Sequence, residues 1–369
     1  MRILIAGDTF PNDSNSHLFC ELKAVELVGA NFINLVRECD ELICNLEGVL
    51  TLRGVAAKKT GPIISAAPQT VNGLCAIGVT SVSLANNHIM DKGAIGLRST
   101  LNHLDAANIK YFGAGLGKES AKKPRIITHE GVRVGVYSCT ENEFSSCTES
   151  RPGANGFDPL TSLDEIGELS AKVDFTIVIY HGGKERYEYP TPNLQKRCRR
   201  MIDKGANLVL CQHSHVIGCE EIFNHGTILY GQGNFLFKNS EDELTKYGLI
   251  IDLSINLKRF DIRYHLVEQT SKGVILSNND NILEKMKNRS DRIKEPNFIE
   301  DHFDLYVKKN LDNYLVSLAG SNIVLKILNK ISRGAFFKYF YSEMMLLRIG
   351  NIVECESHNE IVVHGCKKR

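Results

Sequence analysis

Short apolar runs recur through the first two-thirds of the chain, separated by longer stretches in which apolar residues return every three or four positions. The runs RILIAG (2–7), ELICNL (41–46), VTSVSLA (79–85), KYFGA (110–114), VRVGVYS (132–138), DFTIVIY (174–180), NLVLC (207–211) and TILYGQ (227–232) are rich in Val, Ile and Leu and are flanked by Gly, Asn or Pro. That pattern predicts buried strands. Between them, 94–108 puts Ile95, Leu97, Leu101 and Leu104 near one face of a helix, and 191–206 opens on Thr-Pro and closes at Gly205, a helix start and stop. Alternation of strands with helices predicts an α/β layered fold. The pattern changes at 248–268, where GLIIDLSI and RFDIRYHLV flank NLK and predict an antiparallel hairpin. The polar and charged residues of 277–300 place a linker at 271–300. The expected organisation is one domain over 1–270, that linker, and a mostly helical extension over 301–369, clearest at 321–350.

Composition narrows the picture. A chain of 369 residues with 43% hydrophobic content can bury a sizeable core. A net charge of +1 gives no global attraction to nucleic acid. The 11 cysteines are scattered without a CxxC, and Cys44, Cys139 and Cys211 fall inside apolar runs, which predicts buried, reduced thiols rather than a disulfide framework. MRILIAGDTF begins directly on a strand-like run, so no leader peptide is expected. No uncharged apolar run approaches the roughly 20 residues that span a bilayer. The expected compartment is the cytoplasm. The tail differs from the rest: 321–350 carries Lys326, Lys330, Arg333, Lys338 and Arg348 against Glu343 alone. It is the candidate for a peripheral membrane or homo-oligomer contact, although amphipathic helices more often simply cover a core.

The chemistry gathers where strands end, which is where open α/β sheets bind ligands. Asp8 follows the first strand, Glu47 the second, Asn87 and His88 the third, His181 the run at 174–180, and His213 and His215 the run at 207–211. A lone Asp there is more often a helix cap, and a lone buried His is more often a satisfied core residue. His-x-His is a stronger signal, since alternate residues of an extended chain face the same way. Five strand ends each delivering such a group are not explained by caps. Carboxylates, imidazoles and an amide oxygen without a thiolate suit Mn, Fe or catalytic Zn. Six candidate ligands exceed one tetrahedral ion and suit two ions that share a carboxylate, roughly 3.5–4 Å apart, as in hydrolytic two-metal sites.

The motifs AGD, NLE, LANNHxxDxG, HGGxE, HSHV and GNFLF (233–237), in this order, resemble those of the CapA family of capsule and poly-γ-glutamate synthesis proteins, within the calcineurin-like metallophosphoesterase superfamily. The resemblance covers about 1–255. It implies a two-sheet sandwich flanked by helices, with one or two divalent metal ions as cofactors. It implies Asp8, Glu47, Asn87, His181, His213 and His215 as metal ligands, with Glu47 bridging, and His88 as proton donor to the leaving group. Asn86, Asp91, Glu185 and Asn234 fall in the same motifs and are expected to support them. There are departures. Phe10 stands where the superfamily usually has the His of Asp-x-His, and Gln212 stands where the family often has His. PIISAAPQ (62–69) lacks an expected Arg, and the nearby cations Arg53, Lys58 and Lys59 read as an ordinary solvated loop. Many relatives carry an N-terminal membrane anchor, which is not expected here.

The function implied is metal-dependent phosphoester hydrolysis in capsule or other surface-polymer biosynthesis, acting on a phosphorylated small molecule or polymer precursor. The alternatives are a polymer-assembly component of the poly-γ-glutamate type and a non-enzymatic metal-binding module.

Overall fold

The computed structural model describes residues 1–237, 242–257, 259–318, 323–354, 358 and 362. The chain divides into two compact units, Met1–Ile299 and Glu300–Arg369.

Two large sheets, with two further two-stranded pairs, build the first unit, and the strands of the large sheets are numbered in chain order. The first sheet contains β1 (Arg2–Thr9), β2 (Glu41–Leu46), β3 (Ser81–Ser83) and β4 (Lys110–Phe112). The second contains β5 (Arg125–His129), β6 (Val132–Thr140), β7 (Phe175–His181), β8 (Leu208–Gln212), β9 (Glu220–Phe223) and β10 (Gly226–Leu229). The chain then returns to the first sheet as β11 (Tyr247–Asn256), β12 (Arg259–Gln269) and β13 (Val274–Leu276). The strand orders are β13-β12-β11-β1-β2-β3-β4 and β9-β10-β8-β7-β6-β5. Strands β1 to β4 run parallel, as do β6, β7, β8 and β10. The expected hairpin is β11 with β12, antiparallel from Tyr247↔Glu268 to Asn256↔Arg259.

The continuous apolar runs follow from burial on both faces. In β1, Ile3 and Ile5 share a core with Ile43 of β2, Val134 and Val136 of β6, Ile177 and Ile179 of β7, and Leu208 and Leu210 of β8. That layer lies between the sheets. The alternate residues Leu4 and Ala6 join Leu42 and Cys44 in a second core with the helices Ala24–Arg37 and Gly93–Ala106, through Leu27, Phe32, Leu97 and Leu104. On the far side of the second sheet, the helices Ser162–Ser170 and Pro192–Asp203 lie against its strands. The latter starts as its sequence predicts: Thr191 caps it by accepting from Leu194 N, with Pro192 at the first position. The architecture is the expected α/β sandwich of two sheets flanked by helices. The nine described cysteines are all unpaired, and Cys44, Cys139, Cys198, Cys211 and Cys219 are buried.

The linker expected at 271–300 is not a linker. It holds β13, paired to β12, and the helix Asp280–Arg292. Ile282 and Met286, one turn apart, enter the inter-sheet core, and Arg289 donates to the carbonyls of Ile217 and Gly218. These two buried anchors, with Leu283 packed beside them, dock an otherwise polar and charged helix. The extension is helical at Phe298–Leu318, Ile323–Ile331, Ala335–Phe340 and Glu343–Glu354. The run 321–350 is thus broken, at Arg333 and Gly334, whose φ values of 52° and 92° leave the helical region. Residues 321 and 322 and most of 355–369 lie outside the described residues. The second unit has its own small core of Leu315, Phe337 and Tyr341.

Candidate metal centre and active site

Strand β1 reaches Asp8 after an irregularity in its pairing with β2 between Ile5 and Asp8, which sets Asp8 opposite Asn45. The Asn45 amide donates to Asp8 Oδ1 at 2.8 Å and lies 3.2 Å from His181 Nδ1. Asn45 Oδ1 accepts from Asn86 at 3.1 Å. Asn86 also donates to Leu46 O at 2.9 Å and accepts from His88 N at 3.1 Å. The fully buried Asn86 amide therefore fastens the 86–88 turn to the end of β2. Asn45 is a positioning residue that the sequence motifs did not single out.

The six expected ligands converge. Donor atoms of Asp8, Glu47 and His181 lie within 4.8 Å of one another, and so do those of Glu47, His213 and His215. Glu47 is common to both triads. His181 Nε2 is 3.7 Å from Glu47 Oε1 and 3.1 Å from Asn87 Oδ1, which brings Asn87 to the first triad. His215 Nδ1 is 3.2 Å from Asp8 Oδ2 and 2.9 Å from Asn234 Oδ1, and its ring stacks on Phe237 at 5.0 Å. His213 N donates to Asp8 Oδ2 at 3.2 Å. Both His213 and His215 have positive φ, 83° and 58°, a conformation that costs about 1–3 kcal/mol per residue and persists where the surroundings demand it. Glu185 stands at the rim, 3.8 Å from His213 Nε2.

The electrostatics fit a divalent cation. Both Glu47 carboxylate oxygens are buried without a hydrogen-bond partner. Burial, reinforced by the Asp8 charge, pushes the Glu47 carboxyl well above the usual carboxylate range. Burial opposes ionisation of Asp8 too, but its hydrogen bond to His215 and the charge of that ring hold it below that range. Burial drives His181 far down and His213 to about 4, so both rings are neutral, the form that binds metal. His215 is opposed by burial but raised to about 10 by Glu47 and Asp8. Its imidazolium faces the Asp8 carboxylate and the Glu47 carboxyl, and a metal ion held there would displace the proton.

His88 is held separately. Its Nδ1 lies 2.7 Å from Asp91 Oδ2, which leaves Nε2 for the cavity of about 520 Å³ that His88 lines. Asp91 also accepts from Ile64 N at 2.6 Å. Its other oxygen is 2.6 Å from Lys59 Nζ, an ion pair off the hydrogen-bond direction. Lys59 further lies 3.1 Å from His88 Nδ1 and 4.6 Å from the Phe144 ring centroid. The expectation of a solvated loop fails for Lys59, whose side chain is only 6% exposed. It holds for Arg53 and Lys58, which are exposed. No periodicity marks Lys59, because it reaches the site from an irregular loop.

Phe10 does not reach toward the ligands. It is buried in the core beside Gly48, where a Cβ would lie 2.5 Å from its ring. Gln212 turns away as well, donating to Gln232 at 2.9 Å beneath the site. The two triads assemble without a histidine at either place.

The model of the family described as bacterial capsule synthesis protein PGA_cap matches residues 2–239. The chain belongs to this family. Every site residue named above lies inside the PGA_cap match. The chain is 27% identical to the capsule biosynthesis protein CapA of Bacillus anthracis, over 61% of its own length and 65% of that protein's. It is 30% identical to the PGA biosynthesis protein CapA of Bacillus subtilis (strain 168), over 49% and 50%. The chain thus spans between half and two-thirds of these relatives. Among solved structures, a 5'-nucleotidase precursor from Thermus thermophilus aligns with a TM-score of 0.45 and 13% identity, over 84% of this chain and 59% of that one. That is a distant likeness.

Proposed function

We propose that this PGA_cap protein is a metal-dependent phosphoester hydrolase acting in surface-polymer biosynthesis. The observation that carries the reading is Glu47: a fully buried carboxylate with no donor to either oxygen, shared by two triads of metal-ligand type. A structural carboxylate so placed is costly, and a pair of divalent ions removes the cost.

Asp8, Glu47 and His181 would hold one ion, with Asn87 beside them, and Glu47, His213 and His215 the other. Mn, Fe and Zn all accept this donor set. Bound there, the ions supply Lewis-acid activation of water and of the phosphoryl group. The chain supplies the rest. Asp91 fixes the His88 ring through Nδ1, so that Nε2 faces the cavity and can protonate the departing alkoxide. Lys59 adds a buried positive charge beside that pair. The names of the relatives, capsule and PGA biosynthesis, support a polymer precursor as the phosphorylated substrate.

The test is the metal content of the purified protein together with a panel of phosphomonoesters and phosphodiesters. We expect bound Mn, Fe or Zn, turnover of at least one ester class, and a loss of about 10²–10⁴ in kcat in His88→Ala. Absence of metal, or activity unchanged in Asn87→Ala and His181→Ala, refutes it.

A further inference from the structure

The helix Ile323–Ile331 of the second unit exposes an apolar stripe. Ile323, Ile327 and Ile331, spaced one turn apart, are 70%, 50% and 75% exposed, and Leu328 beside them is 42% exposed. The opposite side of the helix packs through Leu325 onto the core of Leu315, Phe337 and Tyr341. Lys326 and Lys330 border the stripe and are exposed. From 323 to 342 the sequence has four basic residues and no acidic one. Tyr339, 90% exposed, is the aromatic type that favours a membrane–water boundary.

We propose that this helix is a peripheral membrane-binding surface for anionic lipid. Its apolar stripe would enter the acyl boundary while Lys326, Lys330 and Arg333 meet lipid phosphates and carboxylates. The helix has nine residues, about 13 Å at the usual rise, less than half a bilayer's hydrocarbon thickness. It therefore lies in the interface rather than across it, and among the described residues no helix is long and apolar enough to cross a membrane. Charge argues against a second copy of the chain as the occupant. A two-fold contact sets a patch against itself, which would oppose these cations with no acid of the helix to meet them.

The test is co-sedimentation of the full chain with phosphatidylcholine vesicles, with and without about 30% phosphatidylserine. The chain has no tryptophan, so Tyr339→Trp gives an unambiguous reporter. We expect binding to the anionic vesicles only, release by high salt, and a blue shift of the introduced indole's emission on binding. Lys326→Glu with Lys330→Glu should lower partitioning by about 30-fold or more, from about 1 kcal/mol per cation. Ile327→Asp with Ile331→Asp should abolish it with the circular dichroism unchanged. The wild-type comparison stands even where a variant fails to fold. Failure to bind anionic vesicles, equal binding to neutral ones, or a dimer in sedimentation velocity that Ile327→Asp dissociates would each overturn the proposal.

Discussion

Replacing Glu47 with Gln should change the sign of its effect on stability with the metal content. In metal-free protein the wild-type carboxylate is fully buried beside Asp8 with neither oxygen satisfied. Keeping that carboxyl buried beside Asp8, as an ion or as the acid its raised pKa favours, costs several kcal/mol, whereas an unsatisfied neutral amide costs about 1–3 kcal/mol. Glu47→Gln should therefore stabilise the chelated protein by about 1–3 kcal/mol. The unit Met1–Ile299 is large, so each kcal/mol moves Tm by only about 2 °C, and the expected gain is about 2–6 °C. With metal at 100 times its Kd the wild type gains about 2.7 kcal/mol, or about 5 °C. The variant, lacking the shared ligand, should gain almost none. Thermal scans of both proteins, in chelator and with Mn or Zn added stepwise, read this directly. The expected result is that the wild type starts lower and rises while the variant stays level. A variant that is less stable in chelator, or that keeps the metal-dependent rise, would refute the view of Glu47 as a ligand held ready at a stability cost.

Other outcomes follow from the same geometry. Lys59→Met and Asp91→Asn should be strongly coupled in urea denaturation, by about 2–3 kcal/mol in a double-mutant cycle, since removing one partner of a buried pair costs about 3–5 kcal/mol; coupling below about 0.5 kcal/mol would make it an ordinary surface pair. Burial lowers His213 from its usual 6.5 to about 4, so the unfolded chain binds its proton first as pH falls. Its contribution, up to about 3 kcal/mol, is complete above about pH 6.5 and lost as pH falls toward 4. Glu47 is shifted the opposite way, so the readout is the comparison: in chelator, His213→Asn should lose less stability than wild type between pH 7 and pH 5. Phe10→Ala should cost about 3–5 kcal/mol as a core truncation and leave the metal stoichiometry by mass spectrometry unchanged; a changed stoichiometry would place Phe10 at the site.

The strand-end groups were legible because two-sided burial writes continuous apolar runs, and the residue just past each run is then conspicuous. Asp8, Glu47, Asn87, His88, His181, His213 and His215 all sit at such places. Asn45 was hidden because it lies inside a run, as one polar residue in ELICNL. Lys59 was hidden because the irregular loop that carries it imposes no spacing. Edge elements were harder still. β5 and β9 are short antiparallel edges, and Ala24–Arg37 contains Gly29 at φ 73°, where the helix kinks. The helix Asp280–Arg292 buries few side chains, so its charge dominated its pattern and suggested a linker.

The close approach of Gly7, Gly233 and Gly248 has a mechanical consequence. A Cβ on Gly7 would meet Gly233 O at 2.2 Å, and one on Gly248 would meet Asn234 O at 1.9 Å. Backbone thus lies directly on backbone one residue from Asp8 and one from Asn234, with no side chain between to act as a cushion. A sliding of these strands by half an ångström would arrive undamped at the ligand atoms. The metal centre is thereby a gauge of how the strands sit, and a methyl group added at any of these glycines should register as altered metal affinity together with lost stability.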